Sequence, residues 1–324
     1  MNKNSKIFVA GSHPVLRSAL IRVLEQEGYY HRVGENGEVS NLKNQQEVFE
    51  FFKVTNPEYV FYVGGKAGGI RANQQYPADL MTGNILSQTN IIQAASQSRV
   101  KKLLYLGSSC SYPKICPQPM RIESLMTGSL EPTSEAYATA KLAGIVMVKA
   151  YRTQFQLNGI VGIPGDVFGP DDDFALDTAH VLPALMRKIH EAKCTHADSV
   201  EIWGSGDPQR QFMHADDVAR ACVFVMRSYE SSKPINLGSG PTMSIKALAF
   251  LIAEVVGYQG SFHFNTHISD GAPLKSLDCS PLISMGWLSS MNMREALEDT
   301  YQWFCDHESC SKEIKDKAKL VRTS

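Results

Sequence analysis

Tyr137 and Lys141 are four residues apart, and on an α-helix this spacing places their side chains next to each other on one face. A phenol has a pKa of roughly 10 and exchanges protons poorly at neutral pH, whereas a neighbouring ammonium group favours the phenolate. Ser108 can hydrogen-bond the same reacting oxygen, which completes a set able to protonate a carbonyl oxygen. The spacing alone is equally typical of a surface Tyr and Lys, so the surrounding elements must decide.

The chain opens with a pattern typical of a nucleotide-binding βαβ unit. The apolar run Lys6–Ala10 predicts a strand that ends at Gly11, and a helical pattern follows from Val15 to Glu27. Further strands are predicted at Pro57–Val63, Val100–Leu106 and Asn158–Ile163, with helices between them. We therefore expect an α/β fold with a Rossmann-like, doubly wound parallel sheet and a smaller C-terminal α/β lobe.

The candidate chemistry lies where such a sheet binds ligands. Ser108 and Cys110 follow the strand Val100–Leu106, and ligands bind at the carboxyl ends of parallel strands. Pro132–Glu135 supplies residues that start helices, so Tyr137 and Lys141 lie in the first turns of the helix that follows.

Composition excludes several function classes. The chain has 324 residues, 43% of them hydrophobic and 20% charged, and a formal net charge of -1, which gives no argument for nucleic acid or a membrane surface. Seven cysteines without paired spacing suit a reducing, cytoplasmic location. His190, Cys194 and His196 lack a fourth partner with ligand spacing, so no metal site is predicted.

Six further motifs accompany the Tyr137 and Lys141 pair. They are Gly107–Pro113, Tyr76–Asp79, Phe168–Phe174, His180–Ala184, Trp203–Gly206 and Arg210–His214. With this combination of motifs, which is specific, the chain resembles the GDP-L-fucose synthase family of the extended short-chain dehydrogenase/reductase superfamily. The resemblance extends from about Lys6 to about Asp306.

This resemblance implies a two-part reaction on GDP-4-keto-6-deoxy-D-mannose. Cys110 and His180 match the family's acid/base pair, which inverts C3 and C5 next to the ketone. Tyr137 would then protonate the C4 oxygen during hydride transfer, with Lys141 lowering its pKa and Ser108 polarising the ketone. The product would be GDP-L-fucose.

The resemblance also implies binding residues and partners. Trp203, Arg210 and Lys275 would hold the GDP-sugar, with Arg210 on its diphosphate, and the cofactor would be NADP(H). Tyr137, Lys141 and His180 would contact that cofactor as well. Residues 1–165 and about 216–240 would bind the dinucleotide. About 166–215 and 241–310 would form the sugar lobe, and 311–324 a tail. A homodimer through the helices near Met81–Ser98 and Tyr137–Phe155 is also implied.

The chain departs from the family mainly around the cofactor's phosphates. Counting from Gly11, the second and third glycines of the turn are replaced by Pro14 and Arg17. Two family arginines that would meet the adenosine 2'-phosphate become His13 and Glu35. Because an acidic residue suits a free ribose hydroxyl, Glu35 makes NAD(H) possible.

Two smaller departures complete the comparison with the family. A family aspartate near the adenine becomes Asn44, and on the sugar side the family's Pro-Thr-Asn becomes Pro164–Asp166.

Three hypotheses follow. The chain is an epimerase/reductase; or a redox-neutral epimerase or reductase of another GDP-4-keto-hexose, with altered or lost NADPH binding; or a non-catalytic relative. The five intact residues Ser108, Cys110, Tyr137, Lys141 and His180 argue against the third hypothesis.

Overall fold

Four apolar residues, Ile7–Ala10, form a buried strand that turns at Gly11 into the first helix. The computed structural model of the protein describes residues 1–34, 41–238, 240–268 and 270–307. The expected tail at 311–324 lies outside these residues.

The strands in chain order are β1 (Ile7–Ala10), β2 (Arg32–Val33), β3 (Tyr59–Tyr62), β4 (Lys102–Leu106), β5 (Gly159–Pro164), β6 (Asp166–Phe168), β7 (Ser199–Trp203), β8 (Gln209–Arg210), β9 (Phe212–His214), β10 (Ile235–Leu237), β11 (Met243–Ser244), β12 (Ser261–Asn265) and β13 (Leu274–Lys275). The α-helices are α1 (Pro14–Gln26), α2 (Gln45–Thr55), α3 (Ile70–Gln75), α4 (Pro77–Gln97), α5 (Glu135–Phe155), α6 (Val181–Thr195), α7 (Ala215–Ser228), α8 (Ile245–Val256), α9 (Ser280–Ser284) and α10 (Met293–His307). Short 3-10 turns cover Ser109–Ser111, Ile122–Ser124 and Pro132–Ser134.

The central sheet is parallel throughout. Among the described residues it contains six strands in the order β10–β5–β4–β3–β1–β2. The strand order reverses between β1 and β3, so this edge is the switch point at which doubly wound sheets bind ligands. The predicted doubly wound α/β fold is confirmed.

Both faces of this sheet are covered by helices, so its strands are apolar on both sides. Along β4, Leu104 and Leu106 join a core with α1 and α7, whereas Leu103 and Tyr105 join a core with α2, α4 and α5. The period of two in the strand explains this alternation.

A third core lies in the C-terminal part of the chain. Side chains from α6, α8 and α10 pack together with those of β7 and β12, which pair in parallel. Two small sheets, β6–β9 and β11–β8–β13, carry Asp166, Arg210 and Lys275. The boundaries of the two lobes stay a prediction.

Within the described ranges, no helix is both long and apolar enough to cross a membrane. Nor do these ranges bring together three or more His, Cys, Asp or Glu side chains that could hold a metal ion.

Candidate active site

The turn after β1 forms the switch-point crevice. Gly11 has a φ of +130°, and a Cβ atom there would lie 2.5 Å from the Gly64 carbonyl oxygen. The backbone N–H of Ser12 donates to the same oxygen at 3.0 Å. Only glycine allows the ends of β1 and β3 to approach this closely, and such a cradle fits the pyrophosphate of a dinucleotide.

The altered cofactor residues occupy well-defined places in this turn. Pro14 is the first residue of α1, where its missing N–H leaves no intrahelical bond unmade. The Arg17 side chain extends to the carboxyl end of β2, where its Nη2 lies 3.5 Å from the Gly34 carbonyl oxygen. Glu35 lies outside the described residues. Asn44 caps α2 by accepting from the N–H groups of Gln46 and Glu47.

Ser108, Tyr137 and Lys141 lie near one another at the carboxyl end of β4. Ser108 follows β4 and caps a 3-10 turn, accepting from the Cys110 N–H at 3.2 Å. Its side chain is also hydrogen-bonded to Tyr137. Lys141 lies one turn along α5 and donates to the Leu106 carbonyl oxygen at 2.9 Å. The end of β4 therefore lies next to both the Ser108 hydroxyl and the Lys141 amine.

The electrostatics of this set differ from the expectation that Lys141 lowers the pKa of Tyr137. Burial raises the pKa of the Tyr137 phenol, the nearby Cys110 acts in the same direction, and the hydrogen bond with Ser108 partly opposes them. Burial also lowers the pKa of Lys141 to about 7, so the amine is only partly charged near neutral pH. A buried, half-charged amine that donates to a carbonyl is a weaker influence than the ammonium assumed from the sequence.

His13 is a residue that sequence analysis did not place in this site. Its Nδ1 is buried and has no hydrogen-bond partner among the described residues. Burial lowers the pKa of His13 to about 3, and the nearby His180 and Lys141 act in the same direction. The imidazole is therefore neutral and lies near both Lys141 and His180. Its place in the glycine-poor turn was the available signal.

A second group of predicted residues surrounds Cys110. Cys110 and Lys275 line one cleft, together with Tyr112, Gln118 and Leu274 among others. Lys275 and Arg210 are register partners on the parallel strands β13 and β8, so two cations lie side by side. Cys110 and Asp166 are also close enough to Arg210 to raise its pKa, against the lowering by burial. Adjacent like charges are unfavourable unless an anion lies between them, so this pair is a candidate diphosphate site.

His180 belongs to the same group and lies at the start of α6. Its side chain is exposed, yet protein surrounds its ring, and burial is the main cause that lowers its pKa. A side chain that lines an open cleft can be exposed to solvent and still have protein around its ring. Asp166 and Asp173 act to raise the pKa of His180, and Lys275 acts to lower it. Lys275 is thus a charged neighbour of both His180 and Cys110.

Trp203 lies at the edge of this arrangement. The side chain is 45% exposed, and its ring is flanked by Lys188 Nζ at 4.6 Å and Arg71 Cζ at 5.9 Å. Arg71 also pairs with Asp177 at 2.6 Å, in the segment that leads to His180. In the described part of the chain, the ring contacts of Trp203 are with these cations rather than with Arg210 or Lys275. Its predicted role in binding the substrate stays a prediction.

Comparison with known proteins gives a consistent picture. Residues 7–238 match the NAD dependent epimerase/dehydratase family. The putative GDP-L-fucose synthase 2 of Arabidopsis thaliana is 46% identical over 307 residues, which cover 95% of this chain and 94% of that protein. The GDP-L-fucose synthase of Escherichia coli strain K12 is 41% identical over 312 residues, covering 94% and 97%. A solved GDP-mannoheptose C4 reductase from Campylobacter jejuni with NADP bound is similar with a TM-score of 0.85 and 32% identity, covering 94% and 99%.

Proposed function

This chain belongs to the NAD dependent epimerase/dehydratase family and, within it, to the GDP-L-fucose synthases, and we propose that it converts GDP-4-keto-6-deoxy-D-mannose to GDP-L-fucose. The reaction would combine epimerisation at C3 and C5 with nicotinamide-dependent reduction at C4. One observation carries this proposal beyond the family likeness: the cationic pair Arg210 and Lys275 lies close to both Cys110 and His180. A diphosphate on that pair would hold its sugar between the thiol and the imidazole.

Epimerisation needs a base and an acid on opposite faces of the sugar. The C4 ketone acidifies the hydrogens at C3 and C5, so the Cys110 thiolate can remove a proton and leave an enolate. Protonated His180 then returns a proton to the opposite face of the same carbon, which inverts it. The two side chains end with exchanged proton states, and solvent restores them. A thiol and an imidazole suit this exchange because their ordinary pKa values are about 8.5 and 6.5.

Reduction at C4 uses Ser108, Tyr137 and Lys141. When bound, the nicotinamide supplies the hydride. Ser108 donates a hydrogen bond to the ketone oxygen, and Tyr137 gives that oxygen its proton as the alcohol forms. The raised pKa of Tyr137 keeps the phenol protonated and ready to donate. Lys141 lies one turn along α5, and its positive charge would stabilise the phenolate that remains on Tyr137.

The epimerisation step can be tested without any cofactor. We expect the protein to exchange the hydrogens at C3 and C5 when GDP-4-keto-6-deoxy-D-mannose is incubated with it in deuterated water. Mass spectrometry or NMR measures this exchange. Cys110→Ser should lower the exchange rate by at least about 10²-fold, the usual contribution of an acid or base. Cys116→Ser is the matched control, since Cys116 is a partly exposed thiol in the same segment. Unchanged exchange in Cys110→Ser would refute the assignment of the base.

The alternative reading is a redox-neutral epimerase, or a reductase of another GDP-4-keto-hexose. The similar reductase from Campylobacter jejuni, named for a GDP-mannoheptose, is the observation that favours a different hexose. Exchange at C3 and C5 without NADPH oxidation would support the redox-neutral epimerase. NADPH oxidation without prior exchange would support the simple reductase.

For the cofactor we propose NADP(H) in preference to NAD(H), with Arg17 as the contact to the adenosine 2'-phosphate. The ribose of a dinucleotide lies at the carboxyl end of the second strand, and Arg17 Nη2 reaches Gly34 at that place. The arginine would compensate for the family arginines that His13 and Glu35 replace. A guanidinium group suits a phosphate because it can donate two parallel hydrogen bonds.

Two variants separate the cofactor alternatives. Arg17→Gln should weaken NADPH binding by about tenfold or more and leave NADH binding within about twofold, because one charge-assisted hydrogen bond contributes roughly 1.5–3 kcal/mol. Glu35→Gln should strengthen NADPH binding if the glutamate repels the 2'-phosphate. Fluorescence titration of both cofactors measures these affinities. Tighter binding of NADH than NADPH by the unaltered protein would refute the preference.

The quaternary and cellular parts of the prediction also belong here. We propose a homodimer through α4 and α5, because Met81, Leu86 and Val146 expose 37%, 43% and 46% of their side chains on these helices. Analytical ultracentrifugation of Leu86→Asp should then show a monomer. We propose a cytoplasmic location because the cysteines among the described residues form no disulfide bonds. We propose the lobe boundaries at about 166, 216 and 241 because Arg210 and Lys275 lie on the sugar side of the proposed site.

A further inference from the structure

Asp166 occupies a position between the two halves of the proposed substrate site. It is the first residue of β6, and its backbone N–H donates to the Gln211 carbonyl oxygen at 3.2 Å. A Cβ atom on the preceding Gly165 would lie 3.0 Å from that same oxygen, so the chain passes close to β8 and β9 here. The backbone of Asp166 is therefore fixed, while its side chain is 36% exposed and lies near Arg210.

The carboxylate of Asp166 faces two groups that the proposed function uses. Its Oδ2 lies 3.9 Å from Arg210 Nε, which is an ion pair too wide for a hydrogen bond. It is also close enough to His180 to favour the charged imidazolium. Within the part of the chain that the structure describes, neither carboxylate oxygen of Asp166 accepts a hydrogen bond. The position of the Asp166 carboxylate can therefore change when the charge or the contacts of Arg210 or His180 change.

The second carboxylate near His180 is engaged differently. Asp173 accepts from the Ala175 N–H at 2.9 Å and from the Thr178 hydroxyl, so both of its oxygens are used to hold the loop before α6. The remaining charged or titratable neighbours of His180 are Lys275 and His13. Lys275 disfavours the imidazolium, and His13 is neutral. Asp166 is thus the adjustable negative charge in this group.

We propose that Asp166 is a positioning residue, shared between Arg210 and His180, that opposes the effect of burial and favours the protonated His180 needed to protonate the enolate. This inference rests on the proposed function, because it assigns the proton donor to His180. When a substrate diphosphate binds Arg210, the carboxylate loses its competitor for His180 and the imidazolium is favoured further. Binding of the nucleotide handle and protonation of the acid would be coupled through one side chain.

The test is Asp166→Asn, which keeps the shape of the side chain and removes its charge. We expect the alkaline limb of the pH profile for deuterium exchange at C3 and C5 to move toward acid by about one pH unit, a typical effect of one neighbouring charge. At pH 8 the exchange rate should then fall about tenfold, and the acid limb of the pH profile should not move. GDP binding should become severalfold tighter, because the diphosphate no longer competes with a carboxylate for Arg210.

Asp270→Asn is the matched control. Asp270 also acts on Arg210, but it is not among the groups that act on His180. Its removal should leave the alkaline limb unmoved. Asp166→Glu should restore the limb, and Asp166→Ser provides a second uncharged variant if the amide variant fails to fold. An unmoved limb in an uncharged variant that still binds GDP would overturn the inference. Absence of exchange in the unaltered protein would instead refute the proposed function.

Discussion

Lys141 is 2% exposed, and this burial makes the charge of its amine sensitive to pH. Burial lowers its pKa from 10.5 to about 7, and its single described hydrogen bond is to a neutral carbonyl. In the unfolded chain the same amine keeps its ordinary pKa. Between pH 7 and 10.5 the unfolded state therefore binds more protons than the folded state, and stability from this residue rises with pH across that window.

Lys141→Met should consequently be more stable than the unaltered protein at neutral pH. The expected gain is on the order of a few kcal/mol at pH 7 and falls to about 1 kcal/mol near pH 9.5, because the unaltered protein no longer has to discharge the amine there. The lost hydrogen bond subtracts a constant amount at every pH. Urea unfolding at several pH values measures the gap, which must shrink as pH rises. C4 reduction should be lost in the variant.

At the residue scale, the sequence predicts which side chains are neighbours better than it predicts their burial and their hydrogen bonds. The spacing of Tyr137 and Lys141 follows from helical geometry, and Ser108 follows from its strand end. The hydrogen bond from Lys141 to Leu106, and the approach of Asp166 to Arg210, depend on which elements pack together. No local pattern encodes those distances, so the pKa directions of Lys141 and Tyr137 could only come from the folded structure.

At the scale of elements, the segment 64–69 after β3 is fixed more firmly than its glycines suggest. A Cβ atom on Gly64 would lie 2.5 Å from Lys141 Nζ, so this loop forms one wall of the site. Asn84 of α4 binds the loop by accepting from the Gly65 N–H at 3.1 Å and donating to the Lys66 carbonyl oxygen at 2.9 Å. The glycines of this loop give no helical signal and the amide that fixes them lies on another helix, so sequence patterns predict neither the order of this segment nor the short helix α3 that follows it.

Asn84→Ala should therefore lower cofactor affinity as well as stability. Loss of the loop contacts leaves a buried N–H and a carbonyl without a partner, which costs about 1–3 kcal/mol. Asn90→Ala is the matched control on the same helix, because its buried amide donates to the Leu42 carbonyl oxygen, away from the site. Thermal unfolding and NADPH titration of both variants check this. Equal loss of cofactor affinity in the two variants would contradict the role given to the loop.

At the scale of the whole molecule, the C-terminal core is joined to the sheet through a buried carboxylate. Asp217 of α7 is 1% exposed and accepts from the side chains of Ser289 and Ser290 and from the N–H groups of Ser290 and Met291. Arg220 pairs with it at 2.9 Å. The segment it binds leads directly into α10, whose apolar face closes the third core. A link between residues so far apart in the chain has no sequence signature, so it could only come from the folded structure.

Asp217→Asn should loosen this junction and lower the free energy of unfolding by about 2–4 kcal/mol, since several donors lose a charged acceptor inside the protein. Burial acts to raise the pKa of Asp217, but the hydrogen bonds from Ser289, Ser290 and Met291 outweigh it, and the net pKa is lowered. The stabilisation is therefore present above pH 4 and is lost as pH falls through the lowered pKa, so the two proteins should converge in strong acid. Glu254→Gln removes an exposed pair with Arg294 of α10 and should cost less than about 1 kcal/mol. Calorimetry at pH 7 and pH 3 distinguishes the outcomes: a gap that persists undiminished at pH 3 would show that the Asp217 charge does not hold α10 to the sheet.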